Sequence, residues 1–278
     1  ALLRSGIMFP KTIRHLKGED LKDAIPDKLY IPLTDIRMLT KVDLLMLEML
    51  ANCNWERPLY LAISVGSVSK LKFDNYFVQE GLAFRFTPFD YKKWGDVGEN
   101  RLYAVDVERL YDNVMNRYKY GGLDTPGLYL DETTLRTCWY HRRLFAQLAK
   151  ELIAQGDNER AKKVLAYAEQ VIPGYNVPET HESGSYDIAT AYATLGEKTK
   201  AVTLAVHLIA EAEDYINWAF SLKGNRIEMV RNDCIYKFWQ WNQYNELLKK
   251  IDGEKYKESN RQFEEKYALF APTMSYKN

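Results

Sequence analysis

The feature that most constrains this chain is a residue pattern that occurs twice at the same spacing. Ala149, Gly156 and Ala161 stand seven and then five residues apart, and Ala189, Gly196 and Ala201 repeat both intervals. The large positions follow suit: Leu148, Leu152, Leu165 and Ala168 are matched by Ile188, Tyr192, Ala205 and Leu208. Self-similarity at a fixed period is the mark of stacked helix pairs. A small residue lets one helix approach its neighbour, a glycine takes the left-handed conformation that ends a helix, and a second small residue fills the tight crossing.

These offsets are the ones a tetratricopeptide unit uses for its large, small and turn positions. The two glycines are 40 residues apart (196 − 156), against a standard period of about 34. The excess falls in residues 174–185, a polar stretch with Pro178 and Gly184 that is expected to widen the turn between the pairs. Ala205 departs from the pattern, being small where a large residue is usual. Residues 227–251 hold Phe238, Trp239, Trp241 and Tyr244 without the glycine signature, and they read as a helical cap on the stack. One more short helical pattern runs over 263–270.

The first half is organised differently. Residues 1–30 read as an irregular lead-in with one strand at most. Leu39, Val42, Leu45, Leu47 and Leu50 recur at helical spacing and predict a helix over 35–51. Residues 58–65 form a nearly continuous apolar run that suits a buried strand. Residues 73–80 suit one or two helical turns, 82–88 alternate as a second strand, 92–100 read as a loop, 102–105 add a third strand, and 107–119 a helix. The expected fold class is therefore α+β. A small α/β domain occupies residues 1–128, followed by tetratricopeptide-like α-hairpin repeats with a helical cap over 129–278.

Composition narrows the function classes. The 278 residues carry 38 basic and 38 acidic side chains, which removes any general electrostatic reason to bind nucleic acid. Cys53, Cys138 and Cys234 are too far apart for a zinc ligand pair, and His15, His141, His181 and His207 form no metal-spaced pair. No cofactor or metal is expected. The run His181-Glu182-Ser183-Gly184 contains catalytic residue types but lacks the strand-to-helix context of a nucleophile elbow. Phosphate-cradling glycine motifs are missing as well, so no acid/base constellation is encoded locally.

One cluster stands out in the first half. Trp55, Arg57 and Tyr60 lead into one predicted strand, and Tyr76 and Glu80 precede the next, which contains Arg85. Two readings stay open: a structural ion pair tying helix to sheet, or an aromatic and arginine-lined contact site for a peptide or glycan.

The blocks Lys41-Val42-Asp43-Leu44-Leu45-Met46-Leu47-Glu48-Met49-Leu50-Ala51-Asn52-Cys53-Asn54-Trp55-Glu56-Arg57-Pro58-Leu59-Tyr60 and Tyr76-Phe77-Val78-Gln79-Glu80-Gly81-Leu82-Ala83-Phe84-Arg85 carry a resemblance. So do Tyr111-Asp112-Asn113-Val114-Met115 and Pro126-Gly127-Leu128-Tyr129-Leu130-Asp131-Glu132. Together they resemble the C-terminal region of a bacterial family of multi-pass membrane proteins, itself similar to protein O-mannosyltransferase-like transmembrane proteins. The resemblance covers most of residues 30–215. It implies a membrane bundle preceding this chain, which would then be a periplasmic C-terminal domain of a glycosyltransferase-like protein. The opening Ala1-Leu2-Leu3-Arg4, without initiator Met or signal-peptide pattern, also reads as the start of an excised piece.

In that family the proposed catalytic acid belongs to a loop of the membrane part. No residue here matches it, so no catalytic role is carried over and the fragment is expected to be inactive alone. The implied function is binding of protein, peptide or glycan partners. The competing readings are a stand-alone hydrolase or transferase with a pocket between its halves, and a cytosolic tetratricopeptide scaffold.

Overall fold

The computed structural model describes residues 6–29, 31, 33, 36–65, 74–97, 103–222 and 226–274. It is α+β, and it divides into two compact units, Ala1–Tyr118 and Lys119–Asn278.

In the first unit, α1 (Gly18–Asp23) and α2 (Lys41–Asn52) precede four short strands, β1 (Tyr60–Ala62), β2 (Phe77–Gln79), β3 (Ala83–Phe86) and β4 (Ala104–Val105). The lead-in thus contributes a helix, and no strand forms among its described residues. The strands lie in the order β1-β3-β2-β4, antiparallel except for the β2–β4 pair. The helix expected from residue 35 begins only at Lys41, where Thr40 and Asp43 form a reciprocal capping box. Residue 35 itself lies outside the described residues, as do Gly66, Phe73 and Leu102, at the limits of three other expected elements.

The helical turns expected over 73–80 are a correction. Asp74–Tyr76 make one 3-10 turn, and Phe77–Gln79 are strand β2. β2 lies between β3 and β4, so all three of its residues are buried. A strand covered on both faces loses the alternation that would distinguish it from a helix.

Register explains what each sheet face carries. Tyr60 is opposite Arg85, and Arg85 is opposite Val78. Because side chains alternate along a strand, these three share one face, while Leu61, Phe84, Phe77 and Phe86 share the other. The second face packs on α2 through Met46, Leu47 and Leu50. The first face meets a separate core of Ile13, Val78, Phe89, Tyr91, Val97 and Ala104. After β4, Asp106 caps α3 (Val107–Asp112), which runs into a π-helical turn at Asn113–Arg117.

The second unit consists of α4 (Glu132–Ala154), α5 (Asn158–Val171), α6 (Ser185–Thr194), α7 (Lys198–Ser221), α8 (Arg226–Met229), α9 (Arg231–Ile251) and α10 (Gly253–Met274). α4 packs on α5 and α6, α6 on α7, α7 on α9, and α9 on α10. The two matched turns are built alike. Gly156 and Gly196 have φ of +79° and +81°. Behind them, the Asp157 amide donates to the Leu152 carbonyl and the Glu197 amide to the Tyr192 carbonyl, both at 2.9 Å. Ala149, Ala161, Ala189, Ala201 and Ala205 are fully buried.

Three features differ from expectation. The helical region expected over 227–251 breaks at Val230 into α8 and α9, and the short pattern at 263–270 belongs to the much longer α10. The stretch 174–185 is also packed rather than solvated, for Val177, Ser183 and Ser185 are buried.

Candidate functional site

The structure splits five of the six residues singled out in the sequence between the two faces of the sheet and leaves the sixth, Arg57, apart. Tyr60, Glu80 and Arg85 meet on one. The Tyr60 hydroxyl donates to Glu80 Oε2 at 3.0 Å, Arg85 Nη1 lies 3.6 Å from Glu80 Oε1, and the Arg85 guanidinium sits 5.9 Å from the Tyr60 ring centre. On the opposite face, Trp55 stacks on Phe86 at 5.9 Å with its ring nearly parallel, and Tyr76 packs on the same ring at 6.1 Å. Arg57 is exposed and lies outside both groups.

Sequence reasoning missed Arg109. Its Nη1 donates to Glu80 Oε1 at 3.0 Å, and it also donates to the Gly6 carbonyl, which Arg85 Nη1 reaches at 3.3 Å. What brings it there is the parallel β2–β4 pairing. The Asp106 amide donates to the Gln79 carbonyl at 3.0 Å, and Asp106 caps α3 by accepting from the Arg109 amide at 3.1 Å. A helix-capping Asp three residues before an Arg was the available signal, but the pairing that aims it at Glu80 is long-range.

Glu80 and Arg85 are nearly fully buried. A buried carboxylate with one hydroxyl and two guanidinium partners is a satisfied charge cluster rather than an open acid or base. Its surroundings shift its neighbours: burial, then the Glu80 charge and hydrogen bond, raises the Tyr60 phenol, and burial raises the Asp106 carboxyl against the pull of Arg109. The cluster fastens the β2–β3 turn. Asn113 Nδ2 donates to the Glu80 carbonyl at 2.6 Å, and the Tyr118 hydroxyl accepts from the Leu82 amide at 3.0 Å.

The second unit holds a cleft of about 350 Å³ between its two matched helix pairs. Leu165, Ile172, Ile188 and Leu204 supply apolar walls, and Glu169, Glu179, Lys200 and His207 are among the polar ones. One polar wall is already internally bonded: the Tyr192 hydroxyl donates to Glu169 at 2.5 Å and Lys200 Nζ reaches both oxygens of Glu169 at 2.7 and 2.9 Å.

Arg142, also in the lining, shapes the cleft. Its guanidinium is buried with no carboxylate bonded to it among the described residues, and it donates to four oxygens between α5 and α6: the carbonyls of Ile172 (3.0 Å), Val177 (2.5 Å) and Pro178 (2.7 Å), and Ser183 Oγ (3.3 Å). Burial pulls it down to about 10, opposed mainly by Glu179, so it stays charged at neutral pH. The insertion that reads as a polar loop is thus wrapped around one arginine.

Among the described residues no group of three or more His, Cys, Asp or Glu could hold a metal ion, and no helix is long and apolar enough to cross a membrane. The arrangement is that of a charge-fastened sheet unit and a stack of helix pairs with an open, amphipathic cleft. Residues 11–108, which span the sheet, match the family model of TMEM260-associated domain 2, a domain linked to a membrane-protein family. Neither the curated proteins nor the solved structures contain a significant match to the chain.

Proposed function

We propose that this chain is the non-catalytic, extracytoplasmic C-terminal domain of a membrane glycosyltransferase-like protein, and that its tetratricopeptide-like helix pairs dock an extended segment of a partner protein. The observation that carries this reading is the cleft: apolar walls with polar groups set among them suit alternate side chains of an extended peptide. Stacked helix pairs present such concave surfaces as a class. The match of residues 11–108 supports the membrane connection. Tyr60, half-exposed beside the buried Glu80 and Arg85, offers a second contact point for peptide or glycan.

The test is site-specific photo-crosslinking in the full-length protein in its native membrane. A probe at Thr203, in the cleft wall, is expected to trap a discrete partner protein, and Ile188→Trp, which fills the cleft, is expected to abolish the product. Identical products from Thr203 and from an outward position such as Asn260 would overturn the reading.

A further inference from the structure

Away from the cleft, the turn before α6 and one side of α9 assemble an aromatic cluster. His181 stacks on Tyr186 at 5.8 Å, meets Trp239 edge-on at 5.6 Å and Tyr236 at 6.1 Å, and its Nδ1 is 2.9 Å from the Tyr244 hydroxyl. Tyr236 and Trp239, three residues apart on α9, lie nearly parallel at 5.6 Å. The helix sorts its aromatic residues by face. Phe238, Trp241 and Tyr244 are 3% exposed or less, while Tyr236 and Trp239 stay 45% and 49% exposed. Two large rings packed on one another and half in water are the residue types that dominate contact surfaces.

The groups around the rings decide what they fit. Glu182 and Asp187 act on His181 from its own segment, and Glu246 acts on Tyr186 from α9. Lys237, the cation that acts on His181, is engaged with Glu211 at 3.3 Å. Glu182 accepts from Gln240 Nε2 at 3.1 Å. The rim therefore supplies hydrogen-bond acceptors. A phosphate or nucleic acid is repelled, and a proline-rich peptide, whose free backbone groups are carbonyl acceptors, meets donors in the Tyr236 hydroxyl and the Trp239 indole N–H but leaves the carboxylates without a partner. An ammonium ligand gains little over a ring half in water, and the position enclosed by Tyr186, Tyr236, Trp239 and Tyr244 is already filled by His181. A pyranose suits both parts, since its C–H face covers a ring while its hydroxyls donate to carboxylates.

We propose that the face formed by His181, Tyr236 and Trp239, rimmed by Glu182 and Asp187, binds a neutral pyranose residue of an oligosaccharide. The site lies apart from the cleft and does not rest on the protein-docking reading.

Saturation-transfer NMR on the 278-residue chain tests it, using the methyl glycosides of glucose, galactose, mannose and N-acetylglucosamine, with a proline-rich and a lysine-rich peptide as comparators. Transfer to the ring C–H protons of at least one glycoside is expected. Trp239→Ala should weaken its binding by about tenfold or more, as removal of a central aromatic contact does. Trp218→Ala, at an equally exposed tryptophan on α7, should leave it unchanged. Absence of transfer to every glycoside, transfer that survives Trp239→Ala, or binding of the peptides alone would overturn the assignment. The half-exposed Trp239 can be removed without opening the core, and folding of each variant is confirmed by circular dichroism.

Discussion

The Tyr118 hydroxyl occupies the space that a side chain at Gly81 would need: a Cβ there would lie 2.1 Å from it. The same hydroxyl accepts from the neighbouring Leu82 amide, so the β2–β3 turn and the end of the π-helical turn are fitted to one another. Gly81→Ala is expected to cost about 2 kcal/mol, as overpacking does, measured by urea unfolding. Adding Tyr118→Phe removes the clashing oxygen and should restore part of that loss.

The charge cluster predicts an asymmetry. Glu80→Ala removes the carboxylate from beside the buried Arg85 guanidinium and should destabilise the first unit by about 3 kcal/mol, the range for breaking a buried pair. Arg109→Ala removes a partner that is 39% exposed in its side chain, and should cost about 1 kcal/mol or less. Denaturant titration of both variants, followed by Trp fluorescence, separates the two.

Arg142 predicts a local loss in the second unit. Arg142→Met leaves the buried carbonyls of Ile172 and Val177 without this donor, at about 1–3 kcal/mol for each unsatisfied group. Arg142→Lys should fail to rescue it, because an ammonium cannot replace a planar fork. Thermal unfolding measures the cost, and hydrogen exchange should show loss of protection confined first to residues 174–185.

Two histidines predict the acid response. Burial holds both His141 and His181 below the ordinary imidazole value of 6.5; for His181, Glu182 and Asp187 oppose the shift and Lys237 adds to it. Below that value the unfolded chain takes up protons that the folded chain refuses. Stability contributed by these residues is therefore complete above pH 6.5 and lost as pH falls from there through the folded-state values. The urea midpoint of the second unit should hold steady from pH 8 to 7 and decline below 6.5, and His181→Gln should flatten that decline.

How much of this was legible follows the range of the interactions. The matched turns at Gly156 and Gly196 were readable because their cause lies within a dozen residues: small side chains at the crossing and a left-handed glycine. β2 was not, because Phe77–Gln79 takes its conformation from β3 and β4 on either side, and burial of both faces erased the alternation. Nearness to strand ends grouped Arg57, Glu80 and Arg85; Glu80 and Arg85 do meet, together with Tyr60, but Arg57 stays apart, and Trp55 and Tyr76 lie on the other sheet face, which sequence order does not show. Arg109 needed the parallel pairing of β4, which no local pattern announces. On α9 the sequence pattern marks Phe238, Trp239, Trp241 and Tyr244 but not Tyr236, and only the helix's rotation tells the half-exposed Trp239 from the buried Trp241.

Because four oxygens of the stretch between α5 and α6 converge on the single guanidinium of Arg142, the course of that stretch is anchored to α4, which also packs directly on α6. Substitutions at Thr199 and His207, which line the opening and carry none of those bonds, can therefore alter what it accepts while the anchor stays in place, which separates the evolution of specificity from that of shape.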